Sequence, residues 1–194
     1  MAKSKRKILL HVCCAACLAY SYKILSAEGF EVIAFFYNPN IHGRSEYDKR
    51  LKDVVSTCDK LSVKLIIPKY DIQEFFEEIF PYQQQKSLKY VSDPERFKKK
   101  RCTLCQNLRL SMTVSEAKKK RFHYFSSTLL VSPFRNHSEI INQAIDLSLN
   151  RNIKFFYRDF RKGYFLGRNY SRANKLHLPR YCGCVDSLEE RILE

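Results

Sequence analysis

The chain has 194 residues, of which 45% are hydrophobic, so it can bury a sizeable core as one domain. Lys and Arg number 35 against 20 Asp and Glu, and the formal charge of +15 predicts a polyanionic partner, nucleic acid before membrane. No apolar run reaches the ~20 residues that a membrane span needs. We therefore expect a protein without membrane contact, in a reducing, cytoplasmic setting.

Strand-like and helix-like segments alternate along the chain. Short apolar runs predict strands at residues 8–12, 31–37, 63–67, 122–127 and 153–157. Apolar residues at helical spacing predict helices at 15–28, 45–61, 72–80, about 102–120 and 138–149. Pro81 is predicted to end the third helix, and residues 83–101 are predicted to be irregular. Residues 128–133 are predicted to form a loop.

This alternation predicts an α/β fold with a mostly parallel sheet and helices on both faces. We predict a single metal-binding domain over residues 1–194, in which 157–194 form a C-terminal extension packed on the rest. Ligands of such folds sit at the carboxyl ends of the strands, where the strand order reverses. That point is expected between the first and fourth strands, so Cys13, Cys14 and residues 128–132 should border the crevice.

Seven of the eight cysteines fall in three tight clusters, which are Cys13-Cys14-x-x-Cys17, Cys102-x-x-Cys105 and Cys182-Gly183-Cys184. The first cluster opens a helix, where backbone N–H groups and the helix dipole favour thiolates. Packing alone seldom groups cysteines in this way, so the clusters are expected to converge in space. Cys58 lies on the apolar stripe of its helix and is predicted to be a packing residue. His11, inside the first strand, is predicted to be a core histidine.

The spacing of the clusters leaves several chemistries open. A zinc ribbon needs two closely spaced C-x-x-C knuckles, and here long stretches of chain separate the clusters. A dithiol oxidoreductase is a further alternative, but C-x-x-C alone is a weak signal. Seven thiolates also exceed the four that one zinc ion or one cubane cluster binds. The surplus indicates a second metal or a reactive thiol pair beside the first cluster.

Residues 157–175 combine basic and aromatic side chains. The basic residues include Arg161, Lys162, Arg168 and Arg172, and they alternate with Phe160, Tyr164, Phe165 and Tyr170. Basic groups bind phosphates, and aromatic rings stack on unpaired bases. An ordinary solvated segment with a few core aromatics would show the same composition. The position of the segment, just before Cys182, favours a nucleic-acid surface beside the cysteine site.

Taken together, the motifs resemble those of the epoxyqueuosine reductase QueH family over nearly the whole chain. The matching segments are Cys13-Cys14-x-x-Cys17, Phe36 to His42, Glu46-Tyr47-x-x-Arg50, Arg101-Cys102-x-x-Cys105, Thr128 to Pro133, Asp159 to Lys162 and Tyr181 to Cys184. The resemblance implies a Rossmann-like three-layer fold of the adenine-nucleotide α-hydrolase type. It also implies an iron–sulfur enzyme that reduces the epoxide of epoxyqueuosine in tRNA to give queuosine at the anticodon wobble position.

On that resemblance, Cys14, Cys17, Cys102 and Cys105 are expected to hold a 4Fe-4S cluster. Cys13, Cys182 and Cys184 are expected to form a neighbouring site, either a second, mononuclear iron or a reactive thiol site that meets the substrate. Asp159, Tyr181 and His42 are candidate proton donors. The expected partners are the anticodon stem-loop of tRNA, bound through Arg161, Lys162, Arg168 and Arg172, and an external electron donor.

Two other functions remain open at this point. An iron–sulfur tRNA thiolation enzyme on the same kind of fold would need an ATP-binding S-G-G-x-D-S loop after the first strand, and His11 to Cys17 occupy that position. A non-catalytic, zinc-dependent RNA-binding protein would share the charge and the cysteines.

Overall fold

The computed structural model describes residues 6–89, 94–149 and 151–193, with the side chains of 82–89 and of residue 94 excepted. The strands are β1 (Arg6–His11), β2 (Phe30–Phe35), β3 (Lys64–Ile66), β4 (Tyr124–Ser127) and β5 (Lys154–Phe155). The helices are α1 (Ala15–Ala27), α2 (Arg44–Leu61), α3 (Gln73–Lys89), α4 (Pro94–Lys119), α5 (His137–Ser148), α6 (Gly163–Ala173) and α7 (Val185–Leu193). A short 3-10 helix, Thr128–Val131, follows β4.

The five strands form one parallel sheet in the order β3-β2-β1-β4-β5. On β1, Leu9 is in register with Ile33 of β2 on one side and with Phe125 of β4 on the other. The strand order therefore reverses between β1 and β4, which confirms both the predicted fold class and the predicted crevice.

The central strands form because their residues are buried on both faces of the sheet. Ile8, Leu9 and Leu10 of β1 are completely inaccessible to solvent, and Ala34 and Phe35 of β2 are nearly so. Such continuous apolar runs are typical of parallel strands covered by helices. Each buried aliphatic or aromatic side chain contributes about 1.5–3 kcal/mol of transfer free energy.

The helical region before the second cysteine cluster differs from the prediction. Pro81 does not end α3, which continues to Lys89, and residues 94–101 form the first turns of α4 rather than an irregular stretch. Within the helix the proline costs roughly 3 kcal/mol. Phe75 and Ile79, in the turns of α3 before Pro81, pack beside Cys105 of α4. Pro94 is the first residue of α4, a position that proline favours.

The loop predicted at residues 128–133 also differs in part, because Thr128–Val131 form a 3-10 turn. The hydroxyl of Ser127 caps this turn by accepting a hydrogen bond of 3.1 Å from the backbone N–H of Leu129. Cys58 is buried in the main core, as predicted. His11 is buried too, and its two ring nitrogens lie within hydrogen-bond distance of the Ser127 hydroxyl and the Tyr37 carbonyl.

Helix α6 packs directly on α1 through two glycines. A Cβ atom at Gly167 would overlap the carbonyl oxygen of Ala16, and one at Gly163 would overlap the ring of Tyr20. The two glycines are four residues apart and so lie on one face of α6. Only glycine allows this approach, which places the basic and aromatic segment beside the first cysteine cluster.

Within the described residues, no helix combines the length and the apolar character that a membrane crossing requires.

We predict that Gly167→Ala destabilises the protein by about 1–2 kcal/mol, because the new methyl group meets backbone that cannot rotate away. Helix propensity alone would stabilise the variant by roughly 1 kcal/mol, so a net loss isolates the steric effect. Denaturant unfolding followed by circular dichroism measures the change. Asn169→Ala, at an exposed position of α6, is the control and should show no loss. A Gly167→Ala variant more stable than the wild type would contradict the close approach of the two helices.

Candidate metal centre

A cavity of about 610 Å³ opens at the carboxyl ends of β1 and β4. All seven clustered cysteines line it, together with Tyr181 and Arg168. The three clusters come from the β1–α1 junction, from α4 and from the segment before α7. The fold thus assembles in one place thiols that lie far apart in the sequence.

The first cluster is compact. The sulfur atoms of Cys13, Cys14 and Cys17 all lie within 4.8 Å of one another, and those of Cys14 and Cys17 are 3.0 Å apart. Cys14 has extended backbone and immediately precedes α1, so the helix N-terminus faces these thiols. Three soft ligands at this distance can hold a metal ion.

Hydrogen bonds among the three thiols concentrate negative charge on one of them. Donation from the Cys14 and Cys17 thiols lowers the pKa of Cys13 well below its ordinary value, and the Thr128 hydroxyl contributes to this shift. Donation to Cys13 in turn raises the pKa values of Cys14 and Cys17. A metal ion would displace these protons, because thiolates are the binding form.

Three of the remaining four cysteines, Cys102, Cys105 and Cys182, lie near Arg135. Its guanidinium group donates a hydrogen bond of 2.7 Å to the sulfur of Cys182. Burial alone would raise the pKa of Cys182, but the nearby arginines, Arg135 foremost, lower it below its ordinary value. Burial raises the pKa of Cys105 to about 11 and also raises that of Cys184. Cys105 and Cys184 pack in one small cluster.

A buried arginine of α2 holds the Cys182 loop in place. The guanidinium group of Arg50 donates to the carbonyl oxygens of Tyr181 at 3.1 Å and Cys182 at 3.0 Å. Its Nε atom pairs with Glu46 at 2.7 Å, so the buried charge is compensated. This pairing matters because an unpaired buried cation would cost several kcal/mol.

Gly183 allows the Cys-Gly-Cys loop to turn between its two cysteines. Its φ of +129° is one that side chains rarely adopt, and a Cβ atom there would lie 3.0 Å from Ile41. The backbone N–H of His42 donates to the Gly183 carbonyl at 2.9 Å, and the Nδ1 atom of His42 accepts from the Val185 N–H at 3.0 Å. His42 therefore supports the loop from outside the cavity lining.

Three arginines that line the cavity, Arg109, Arg135 and Arg168, have no carboxylate partner among the described residues. Arg109 is only 2% exposed, and its Nη2 atom has no hydrogen-bond partner there. Arg101, by contrast, pairs with Asp186 at 3.0 Å and Glu190 at 2.9 Å. The cavity wall thus carries positive charge that a thiolate-bound metal group would neutralise.

The predicted proton donors are not all brought to the cavity. Tyr181 lines it, whereas Asp159 and His42 do not. Asp159 is exposed, and its hydrogen bonds with Arg161 lower the pKa of the carboxyl group to about 2. A group that is ionised at neutral pH has no proton to donate.

The predicted RNA-binding residues divide in the same way. Arg168 lines the cavity, with its guanidinium carbon 5.7 Å from the centre of the Tyr164 ring. Arg161, Lys162 and Arg172 are exposed on the same segment but do not line the cavity.

Sequence reasoning missed the arginines that surround the cysteines. For Arg109 a signal existed, because it follows Cys105 by four residues and so lies on the same face of α4. Arg50 belongs to the Glu46-Tyr47-x-x-Arg50 motif, but that motif by itself predicts no role for it beside the cysteines. Arg135 carried no such signal, since its partner Cys182 is distant in the sequence.

Comparisons with known proteins place the chain among its relatives. The family model described as "Epoxyqueuosine reductase QueH" matches residues 8–190. A curated relative of that name from Dehalococcoides mccartyi is 34% identical over 186 residues, which cover 95% of this chain and 94% of the relative. Another from Thermotoga maritima is 35% identical over 187 residues, covering 95% and 91%.

Solved structures with a similar fold come from tRNA-related proteins. A predicted subunit of a tRNA methyltransferase from Methanocaldococcus jannaschii aligns with a TM-score of 0.55 at 14% identity, covering 87% of this chain and 76% of that one. The U34-tRNA thiolase NcsA from Methanococcus maripaludis, solved with its [4Fe-4S] cluster, aligns with a TM-score of 0.54 at 11% identity, covering 92% and 60%. At these identities the likeness shows the fold alone, which is of the adenine-nucleotide α-hydrolase type.

We predict that Cys14→Ser or Cys102→Ser sharply lowers the metal content, because each removes a thiolate from the cavity. Cys58→Ser is the matched control, since Cys58 is a buried cysteine of the apolar core. Metal analysis of anaerobically purified variants measures the difference. Equal metal loss in the Cys58 variant would show that the effect comes from destabilisation and not from the loss of a ligand.

Proposed function

This chain belongs to the epoxyqueuosine reductase QueH family, and we propose that its cysteine cavity is the place where the epoxide of epoxyqueuosine in tRNA is reduced. The reaction breaks both C–O bonds of the epoxide and forms a C=C bond. Two electrons from an external donor and two protons release the oxygen as water. The observation that carries the proposal is the convergence of seven cysteines and one tyrosine on one cavity.

The cavity fits an iron–sulfur group. Its donors are soft thiols, which iron–sulfur clusters require. The buried Nη2 atom of Arg109, which has no hydrogen-bond partner among the described residues, suits a negatively charged group beside it. We propose that Cys14, Cys17, Cys102 and Cys105 hold a 4Fe-4S cluster. When bound, such a cluster supplies electrons one at a time from the external donor.

Cys13, Cys182 and Cys184 are then left for a second site, which we propose holds a mononuclear iron. The charge of Cys13 acts on the pKa of Cys182, so these two thiols are close enough to interact. Both also have pKa values below the ordinary thiol value, which favours metal binding near neutral pH.

Tyr181 is the proposed proton donor. It lines the cavity, and its backbone is fixed by the hydrogen bond that Arg50 donates to its carbonyl oxygen. Burial raises the pKa of its hydroxyl group above the ordinary value, so the group keeps its proton at neutral pH. A protonated hydroxyl can donate to the oxygen that leaves the epoxide.

The substrate is tRNA, and we propose that the anticodon stem-loop binds beside the cavity. The net charge of +15 favours a polyanion. Arg168 lies at the cavity itself, while Arg161, Lys162 and Arg172 are exposed on the same segment. Phosphate contacts from this segment would position the loop so that its modified base enters the cavity.

The function is tested by incubating anaerobically purified protein with epoxyqueuosine-containing tRNA and a low-potential one-electron donor. We predict that the wild-type protein contains iron and sulfide and converts the nucleoside to a product lighter by one oxygen, as measured by mass spectrometry of the digest. Tyr181→Phe should lower turnover by about 10²- to 10⁴-fold at unchanged iron content, because it removes only the proton donor. An inactive, colourless protein with stoichiometric zinc would overturn the proposed function, whereas full activity of Tyr181→Phe would overturn the role of this residue alone.

We predict that replacing Arg161, Arg168 and Arg172 together by alanine weakens tRNA binding. The dependence of log K on log salt should flatten by about 0.7–0.9 for each phosphate that the variant no longer binds. Binding titrations at several salt concentrations measure both quantities, and iron content should not change. The control replaces the exposed lysines Lys118, Lys119 and Lys120 at the far end of α4. Unchanged binding by the arginine variant, with a loss in the lysine variant, would place the RNA surface elsewhere.

A further inference from the structure

Three aromatic side chains, two of them largely exposed, lie at one edge of the cavity. Phe134 is 82% exposed and lines the cavity, and Phe165 on α6 is 71% exposed. Tyr164, between them in space, is partly buried and also lines the cavity. Phenylalanine side chains are mostly buried in folded proteins, so exposed rings grouped beside a substrate cavity indicate a binding surface.

The three rings form a continuous chain of edge-to-face contacts. The ring centres of Phe134 and Tyr164 are 5.6 Å apart at an interplanar angle of 85°, and those of Tyr164 and Phe165 are 5.1 Å apart at 85°. This arrangement leaves the outer rings of Phe134 and Phe165 open to solvent. We call these three residues the aromatic edge.

The backbone under the aromatic edge is well anchored. The N–H of Phe134 donates to the Ser132 hydroxyl at 3.3 Å, and the next residue, Arg135, bonds to Cys182. On the other side, Gly163 and Gly167 hold α6 against α1. The rings are therefore presented by fixed elements, which lowers the entropy cost of binding.

The charge around the aromatic edge selects the partner. The guanidinium carbon of Arg168 lies 5.7 Å from the Tyr164 ring centre, and Arg161 and Lys162 are exposed just before α6. The sequence of α6 contains no acidic residue. Aromatic rings interleaved with cations are typical of surfaces that stack unpaired bases and bind the linking phosphates.

Phe160, which the sequence offered as a stacking candidate, cannot serve in this role because it is completely buried in the main core. The stacking function has to come from rings with a free face. Among the aromatic residues that line the cavity, Phe134 has the largest exposed fraction.

We propose that the aromatic edge stacks an unpaired nucleotide of the anticodon loop next to the one that enters the cavity. This inference rests on the proposed function, because a nucleotide lies at the aromatic edge only if its neighbour enters the cavity as the substrate. The stacked base would hold the loop open while its neighbour points at the thiols and Tyr181. The aromatic edge would thereby contribute affinity for unpaired RNA without reading its sequence.

The test uses the iron-loaded full chain and an anticodon stem-loop RNA without the epoxide. In Phe134→Leu and Phe165→Leu the apolar character is kept and the ring is removed. Each variant should bind the loop RNA about 5- to 150-fold more weakly, the range expected for loss of one stacked base. The salt dependence should stay that of the wild type, because the variants keep every cationic side chain. Phe134→Trp, which replaces one aromatic ring by another, should bind the loop RNA as the wild type does.

Two controls separate stacking from other causes. Phe80→Leu changes a phenylalanine of α3 that is 53% exposed and does not line the cavity, and it should leave binding unchanged. A fully paired stem without the loop should bind the wild type and Phe134→Leu equally. Thermal unfolding should be unaffected in all variants, since the replaced rings are largely exposed.

A fluorescent 2-aminopurine, placed in turn on either side of the wobble nucleotide, reports the stacking directly. In at least one position its emission should be quenched on binding to the wild type and not on binding to Phe134→Leu. Equal affinity of Phe134→Leu and the wild type, or quenching that survives the loss of the ring, would overturn the aromatic edge. A failure of the aromatic edge can be told apart from a failure of the proposed function, because epoxide reduction is measured in a separate experiment. If the proposed function is wrong, epoxide reduction is absent while loop binding and quenching can remain.

Discussion

Buried guanidinium groups hold the cysteine site together, and the rest of the structure depends on them. Arg50 ties the Cys182 loop to α2, and Arg101 ties α7 to α4 through Asp186 and Glu190. Arg135 reaches the Cys182 sulfur itself. Desolvating each of these cations would cost several kcal/mol without a partner. These contacts hold the cysteine segments at the carboxyl ends of β1 and β4.

The molecule uses positive charge in two different environments. The inner arginines, Arg109 and Arg135, lack carboxylate partners among the described residues and face thiols, where low dielectric strengthens each interaction. The outer group, Arg161, Lys162 and Arg172, is exposed, and its attraction for phosphate is screened by salt. The inner arginines suit a buried anionic metal group, and the outer group suits a polyanion in solution. The aromatic edge lies between them, at the boundary where a base would leave solvent.

The same fold serves other chemistry in its structural relatives, including a tRNA thiolase with a [4Fe-4S] cluster. In this chain Cys13, Cys14 and Cys17 come directly after β1, at the strand end and at the start of α1. The sheet provides the crevice in every case because parallel strands end on one edge. The chemistry is set by the side chains placed there, which is why the family assignment and the fold carry different information.

Much of the architecture follows from the sequence alone. The alternation of apolar runs predicts the parallel sheet and its crevice. The position of Cys58 on the apolar stripe of its helix and that of His11 inside an apolar strand predict that both are buried. These properties depend on neighbours close in the chain. Other features are decided only by tertiary structure. Helix α3 continues through Pro81, where local rules predict its end, and contact with α1 requires glycine at position 167. Segments distant in the sequence also determine the roles of Arg109 and Arg135. They likewise determine that Phe134 is exposed and that Phe160 is buried. Local pattern determines which face of an element is apolar, but only the folded chain determines what that face meets.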